Sequence, residues 1–183
     1  LYIGAADVYP LEMIASYSVF ANLGLRTTPY AILRVETADG EVLWQPRPER
    51  EAVLTPEEAW LMVSMMKDVV GRGTAYGATT GAGFRVPAGG KTGTAQVRAL
   101  GANRGRHYST IEWRYRDNAL FCCFGPWHEP RYACAVIVEH GGAGSGVAGP
   151  IAREIMRATL LRDPSRRTGA NLADLERTLA RNA

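Results

Sequence analysis

Apolar positions along this chain change period several times, and the changes mark out the elements. Leu11, Met13, Ile14, Tyr17 and Phe20 fall at helical spacing after Pro10, which suits a first turn, and before Gly24, which suits a stop. The pattern predicts a helix over residues 10–22, apolar on most faces and therefore expected to be buried. Residues 30–36 and 41–44 flank Ala38-Asp39-Gly40 and predict a hairpin with Asp-Gly at its turn. Thr55-Pro56-Glu57-Glu58 then reads as a capping box, Thr55 capping and Glu58 reaching back. The helix it opens is expected to run to Val70 and stop at Gly71, with Met62, Met65, Met66 and Val69 as its apolar stripe.

Residues 71–88 are glycine-rich and irregular, and beyond them the period shortens. Residues 90–97, 118–124 and 132–139 are runs of β-branched, aromatic and small residues, the last two separated by Gly125-Pro126 and Glu129-Pro130. They read as antiparallel strands. After a turn over 141–149, Pro150 opens an amphipathic helix with Ile151, Ile155, Ala158 and Leu161 inward and Arg153, Glu154 and Arg157 outward. Three strands followed by a helix predict an α+β fold, an antiparallel sheet covered on one face by that helix and flanked by helices. Beyond Asp163 the chain turns polar. The expected division is therefore a folded part over 1–162 and a polar tail over 163–183 with at most a short helix at 171–179.

With 183 residues, 46% hydrophobic and 21% charged, the chain can bury a sizeable core. Its net charge of +3 is too small to argue for nucleic acid, and Arg98, Arg104, Arg106, Arg114 and Arg116 read as a solvated loop. No stretch approaches a membrane-spanning helix, and the apolar start Leu1-Tyr2-Ile3 has no signal-peptide pattern, so a fragment is expected. Three cysteines make no disulfide framework. Cys122 and Cys123 point to opposite faces of one strand and Cys134 lies on the next, so small apolar packing is expected, with neither a zinc site nor a thiol nucleophile. His107, His128 and His140 lie in or beside loops and read as surface histidines.

The chemistry concentrates in Gly89-Gly90-Lys91-Thr92-Gly93-Thr94-Ala95-Gln96. A glycine between two threonines weakens a strand, so Gly93 suggests that another backbone or a ligand comes close, and the strand edge itself is a candidate substrate site. A serine acyltransferase needs a nucleophile with a base, an oxyanion hole and a holder for the substrate's charge, and this strand can supply the last two. Ser64-Met65-Met66-Lys67 satisfies S-x-x-K literally. It is rejected as a nucleophile because Ser64 falls mid-helix and projects away from the Met62, Met66 and Val69 stripe. None of the six serines begins S-x-N. Gly144, Gly146 and Gly149 mimic a dinucleotide fingerprint, but Asp163-Pro164-Ser165-Arg166-Arg167 stands where the second buried strand of a βαβ unit would be needed.

Lys91-Thr92-Gly93 is the third signature of penicillin-binding proteins and class A β-lactamases, beside S-x-x-K and S-x-N. With its flanks, the chain resembles the second half of a penicillin-binding transpeptidase domain. Pro10-Leu11-Glu12-Met13, Phe20-Ala21-Asn22, Ala59-Trp60-Leu61-Met62 and Arg72-Gly73-Thr74 are similar to the bifunctional class A enzymes. From Lys91 onward, Ala119-Leu120-Phe121, Phe124-Gly125-Pro126, Pro130-Arg131-Tyr132 and Val138-Glu139-His140-Gly141-Gly142 resemble the class B elongation transpeptidase.

The resemblance implies a partial β-lactamase-like fold and a serine D,D-transpeptidase that cross-links peptidoglycan stem peptides ending in D-Ala-D-Ala and is acylated by β-lactams. It implies that Lys91 supplies positive charge near a relay serine, that Thr92 and Thr94 hydroxyls hold the terminal carboxylate, that the Thr94 N–H joins the oxyanion hole, and that Gly93 leaves the approach clear. It implies no metal or organic cofactor. The nucleophile is expected from an upstream half, without which the chain would be inactive, and a missing N-terminal anchor would hold the enzyme at the outer face of the cytoplasmic membrane. A non-catalytic binding module, a D,D-carboxypeptidase and a serine β-lactamase are the alternatives.

Overall fold

The computed structural model describes residues 8–97 and 105–163. The expected tail helix, the start Leu1-Tyr2-Ile3, Arg98 and Arg104 lie outside the described residues. Helix α1 spans Pro10–Ala21. Strands β1 (Leu25–Thr27) and β4 (Arg50–Ala52) pair antiparallel and enclose a hairpin of β2 (Val35–Glu36) and β3 (Val42–Trp44). Gly40 turns that hairpin at φ +86°, and its first strand is shorter than the sequence suggests.

Helix α2, Pro56–Gly71, starts on the predicted reciprocal cap. The Glu58 N–H donates to Thr55 Oγ1 at 3.3 Å and the Thr55 N–H to Glu58 Oε2 at 2.9 Å. Gly71 is its last residue rather than its stop, and Arg72 caps it with an N–H to the Asp68 carbonyl at 2.9 Å. The buried stripe is Ala59, Val63, Met66 and Val70. Of the four residues expected there only Met66 is buried, while Met65 is exposed.

The central sheet has the order β5-β6-β7, with β5 at Gly89–Ala95, β6 at Asn118–Gly125 and β7 at Tyr132–Val138. All pairs are antiparallel, Gly89 opposite Phe124 through Ala95 opposite Asn118, and Ala119 opposite Val138 through Gly125 opposite Tyr132. Alternation puts Phe121 and Cys123 on one face and Cys122 and Phe124 on the other. Phe121 and Cys123 pack with Ala152 and Met156, while Phe124 packs with Val63, Met66, Tyr17 and Phe20. Helices therefore cover both faces of the sheet. Phe121 and Phe124 are almost fully buried, each contributing roughly 1.5–3 kcal/mol by leaving water.

Helix α3, Gly149–Leu161, continues a single π turn over Gly144–Ala148. Its inward residues are Ala152, Met156 and Leu160 rather than the expected Ile151, Ile155, Ala158 and Leu161; Ile151 and Ile155 are more than 40% exposed and Ala158 is exposed. Arg153 and Arg157 are half-buried rather than free of the surface, and Arg153 Nη1 donates to the Ala78 carbonyl at 3.4 Å. Helix α1 is likewise not enclosed. Only Val19 is buried and Leu11 is 64% exposed, because α2 and the sheet cover one side of α1 alone among the described residues.

Candidate acyl-transfer site

Strand β5 pairs with β6 on one side, and its other edge meets no strand among the described residues. The strand most loaded with chemistry thus carries an open backbone edge, the arrangement that binds an extended peptide by strand addition. Gly89 and Gly90 are buried, and the strand rises into the exposed Lys91 and Thr94 with Thr92 and Gly93 half-covered. Alternation sends Thr92 and Thr94 towards the α3 side and Lys91 towards the α2 side. Lys91 Nζ donates to the Thr92 carbonyl at 2.5 Å.

Thr92 Oγ1 lies 3.1 Å from Thr74 Oγ1. Thr74 reaches the strand because the chain doubles back over the end of α2 at Gly73, where a β-carbon would sit 2.8 Å from Val69 Cα. Thr79 and Thr80 lock this reversal, their hydroxyls donating to the Val70 carbonyl at 3.0 and 3.1 Å. Thr74 also lines a cavity of about 310 Å³ with Gly77, Ala78, Ser145, Gly146 and Pro150.

The backbone that approaches Gly93 is that of Gly144. A β-carbon on Gly144 would lie 2.4 Å from the Gly93 carbonyl oxygen and 2.5 Å from that of Leu120. Gly142, at φ +85°, is pressed equally hard against Tyr108. Of the glycines that imitate a nucleotide fingerprint, Gly144 is thus a close backbone contact supporting β5, while the nearest neighbours of Gly146 and Gly149 lie off that strand. Neither Thr74 nor Gly144 was assigned a role from sequence. The only signals were the triplet Arg72-Gly73-Thr74 and an excess of glycine.

The other candidates separate from this edge. Ser64 is exposed on α2, and Lys67 Nζ stands 3.6 Å from the ring centroid of Trp127 and 5.3 Å from that of Trp60. That lysine is held by cation–π attraction, and no Ser64–Lys67 hydrogen bond forms among the described residues. His107 Nδ1 lies 2.7 Å from Ser109 Oγ, a local bond within one exposed turn. His140 is structural. Its N–H donates to Asn118 Oδ1 at 2.9 Å and its ring lies 4.5 Å from that of Trp113. Burial pushes the Cys122 thiol up to about 11, so it is a neutral packing group at ordinary pH. Among the described residues no three metal-ligating side chains cluster, and no helix is long and apolar enough to cross a membrane.

The family model for the penicillin binding protein transpeptidase domain matches residues 3–157. The chain belongs to that family. It is 31% identical to the peptidoglycan D,D-transpeptidase MrdA of Escherichia coli K12 over 157 residues, 84% of this chain and 24% of that protein. It is 43% identical to penicillin-binding protein 1A of Aquifex aeolicus over 94 residues, 51% of this chain and 12% of that one. Among solved structures, it resembles Pseudomonas aeruginosa PBP2 in complex with WCK 5153, at TM-score 0.63 and 32% identity over 88% of this chain and 31% of that chain. It also resembles the imipenem acyl-enzyme complex of penicillin-binding protein A from Mycobacterium tuberculosis, at TM-score 0.66 and 25% identity over 86% and 32%. The chain spans about a quarter of the length of the MrdA relatives it matches.

Proposed function

We propose that this chain supplies the carboxylate-binding and oxyanion side of a serine D,D-transpeptidase that cross-links D-Ala-D-Ala stem peptides and is acylated by β-lactams. The observation that carries this reading is the open edge of β5, with Thr92 held by Thr74 and Thr94 exposed beside it. An extended peptide laid along that edge pairs with its backbone, and its terminal carboxylate meets the Thr92 and Thr94 hydroxyls. The Thr94 N–H is one donor to the developing oxyanion. Lys91 releases the Thr92 carbonyl by a side-chain rotation and presents its charge to the relay serine. The nucleophile and that serine come from a segment carrying S-x-x-K and S-x-N, neither of which this sequence offers in usable form. The enzyme works at the outer face of the cytoplasmic membrane.

Intact-mass spectrometry after incubation with a labelled penicillin tests the reading. The 183-residue chain alone should stay unmodified, and a domain joined to such a segment should take up one label. A stoichiometric adduct on the chain alone overturns the missing nucleophile, and no adduct on the joined, folded domain overturns the site.

A further inference from the structure

Cys123 and Cys134 are direct register partners across β6 and β7. Opposed residues in an antiparallel pair hold their Cα atoms about 4.5–5.5 Å apart, whichever of the two pair types they form. That separation lies inside the roughly 4.4–6.8 Å that a disulfide bridges. Both side chains point to the α3 side of the sheet, among Phe121, Val136 and Met156. Cys122 points the other way, and all three thiols are free. Register and facing thus single out one pair of three. Sequence reasoning sees three cysteines and no framework, because the pairing depends on the β6–β7 register.

We propose that Cys123 and Cys134 form a cross-strand disulfide by thiol–disulfide exchange with an external disulfide, from a small molecule such as glutathione disulfide or from an oxidised oxidoreductase. Access sets the order of events. Cys134 is half-buried and Cys123 only 4% exposed, so Cys134 is the thiol that a donor reaches. The neighbouring Cys123 thiol also lowers the Cys134 thiol below its ordinary range, which favours the attacking thiolate. Cys134 Sγ attacks the donor's disulfide, forming a mixed disulfide and releasing one donor thiolate. Cys123 then loses its proton and attacks Cys134 Sγ, expelling the second thiolate. The chain is oxidised by two electrons and loses two protons, and the donor's disulfide is reduced to two thiols. The product clips β7 to the strand that carries β5, and it does so whatever the β5 edge binds.

The test uses the reduced 183-residue chain, incubated separately with glutathione disulfide and with an oxidised thiol–disulfide oxidoreductase. Intact mass, thiol titration after denaturation, peptide mapping and thermal melting are then read. The expected product has lost two hydrogens, retains the Cys122 thiol alone, and melts roughly 5–10 °C higher. Cys122→Ser should give the same bridge, and Cys123→Ser should stop at the mixed disulfide on Cys134. Reaction with either donor supports the pair and identifies the source. Three titratable thiols after both treatments, a bridge involving Cys122, or a mixed disulfide that persists on Cys134 in the unsubstituted chain would each overturn it.

Discussion

Gly144 rests on the backbone of Gly93 so closely that a β-carbon would intrude to 2.4 Å of the Gly93 carbonyl oxygen. The intruded atom is backbone, so no side chain can rotate away and the π turn must lift off the sheet. Gly144→Ala is therefore expected to destabilise the chain by about 1–3 kcal/mol, read as a lower urea midpoint at unchanged slope. Gly93→Ala should cost less, since its β-carbon would meet Leu120 no closer than 3.3 Å, at Cβ, on the other face. Equal effects, or a neutral Gly144→Ala, would contradict the contact.

Thr74 is a positioning residue in this reading, acting through Thr92 rather than on substrate. In the joined transpeptidase domain, Thr74→Val should leave the exposed fold intact but free the Thr92 hydroxyl to rotate. The loss of one neutral hydrogen bond predicts acylation slower by roughly 3–10-fold. Thr74→Ser should restore it. The decisive measurement is the split between initial β-lactam binding and the acylation step, with melting temperature as the control. A Thr74→Val domain that melts normally and acylates at full rate removes the role.

The strands were legible in the sequence because Gly89-Gly90 and Gly125-Pro126 punctuate runs that are β-branched, aromatic or small. The α2 start was legible because a capping box is a local device. The inward faces of the helices were not. On α2 three methionines, Met62, Met65 and Met66, lie within five positions on buried and exposed surface alike, and only the neighbouring sheet selects Val63 and Met66. On α3 two apolar stripes lie one residue apart, Ile151 and Ile155 beside Ala152 and Met156. The sheet takes the stripe beginning with small Ala152, which lets the helix come close. The candidate site divides in the same way. Lys91, Thr92 and Thr94 are adjacent in sequence and could be read directly, whereas Thr74 and Gly144 meet the strand only through a chain reversal and a π turn.

Alkaline stability should follow Cys122, Cys123 and Tyr17. Burial raises the Cys122 thiol from an ordinary 9.0 to about 11, so between these values the unfolded chain gives up a proton that the folded chain keeps. The folded state binds the proton more tightly, and that contribution is whole below about pH 9 and lost as pH rises towards 11. The neighbouring Cys134 thiol and burial push Cys123 the same way, and burial does so for Tyr17. Melting temperature should therefore fall more steeply above pH 9 than in Cys122→Ala measured in parallel. Superimposable profiles would show that the Cys122 site does not resist ionisation.

Lys91 carries the sharpest expectation for the site. It is exposed, its Nζ donates among the described residues only to the neighbouring Thr92 carbonyl, and its stem lies on the opposite side of β5 from the threonine pair. A lysine so placed adds little to folding, so Lys91→Ala should leave the melting temperature of the joined domain nearly unchanged. Its charge matters only when a relay serine and a developing oxyanion are present. Removing it should then slow acylation by a labelled penicillin by roughly 10²–10³, the scale of one lost oxyanion-side donor. Lys91→Arg keeps the charge but spreads it over a planar fork too broad for a point contact, and should recover only part of the rate. Acylation at an undiminished rate in the Lys91→Ala domain would take the catalytic role away from this strand and leave β5 as a binding edge alone.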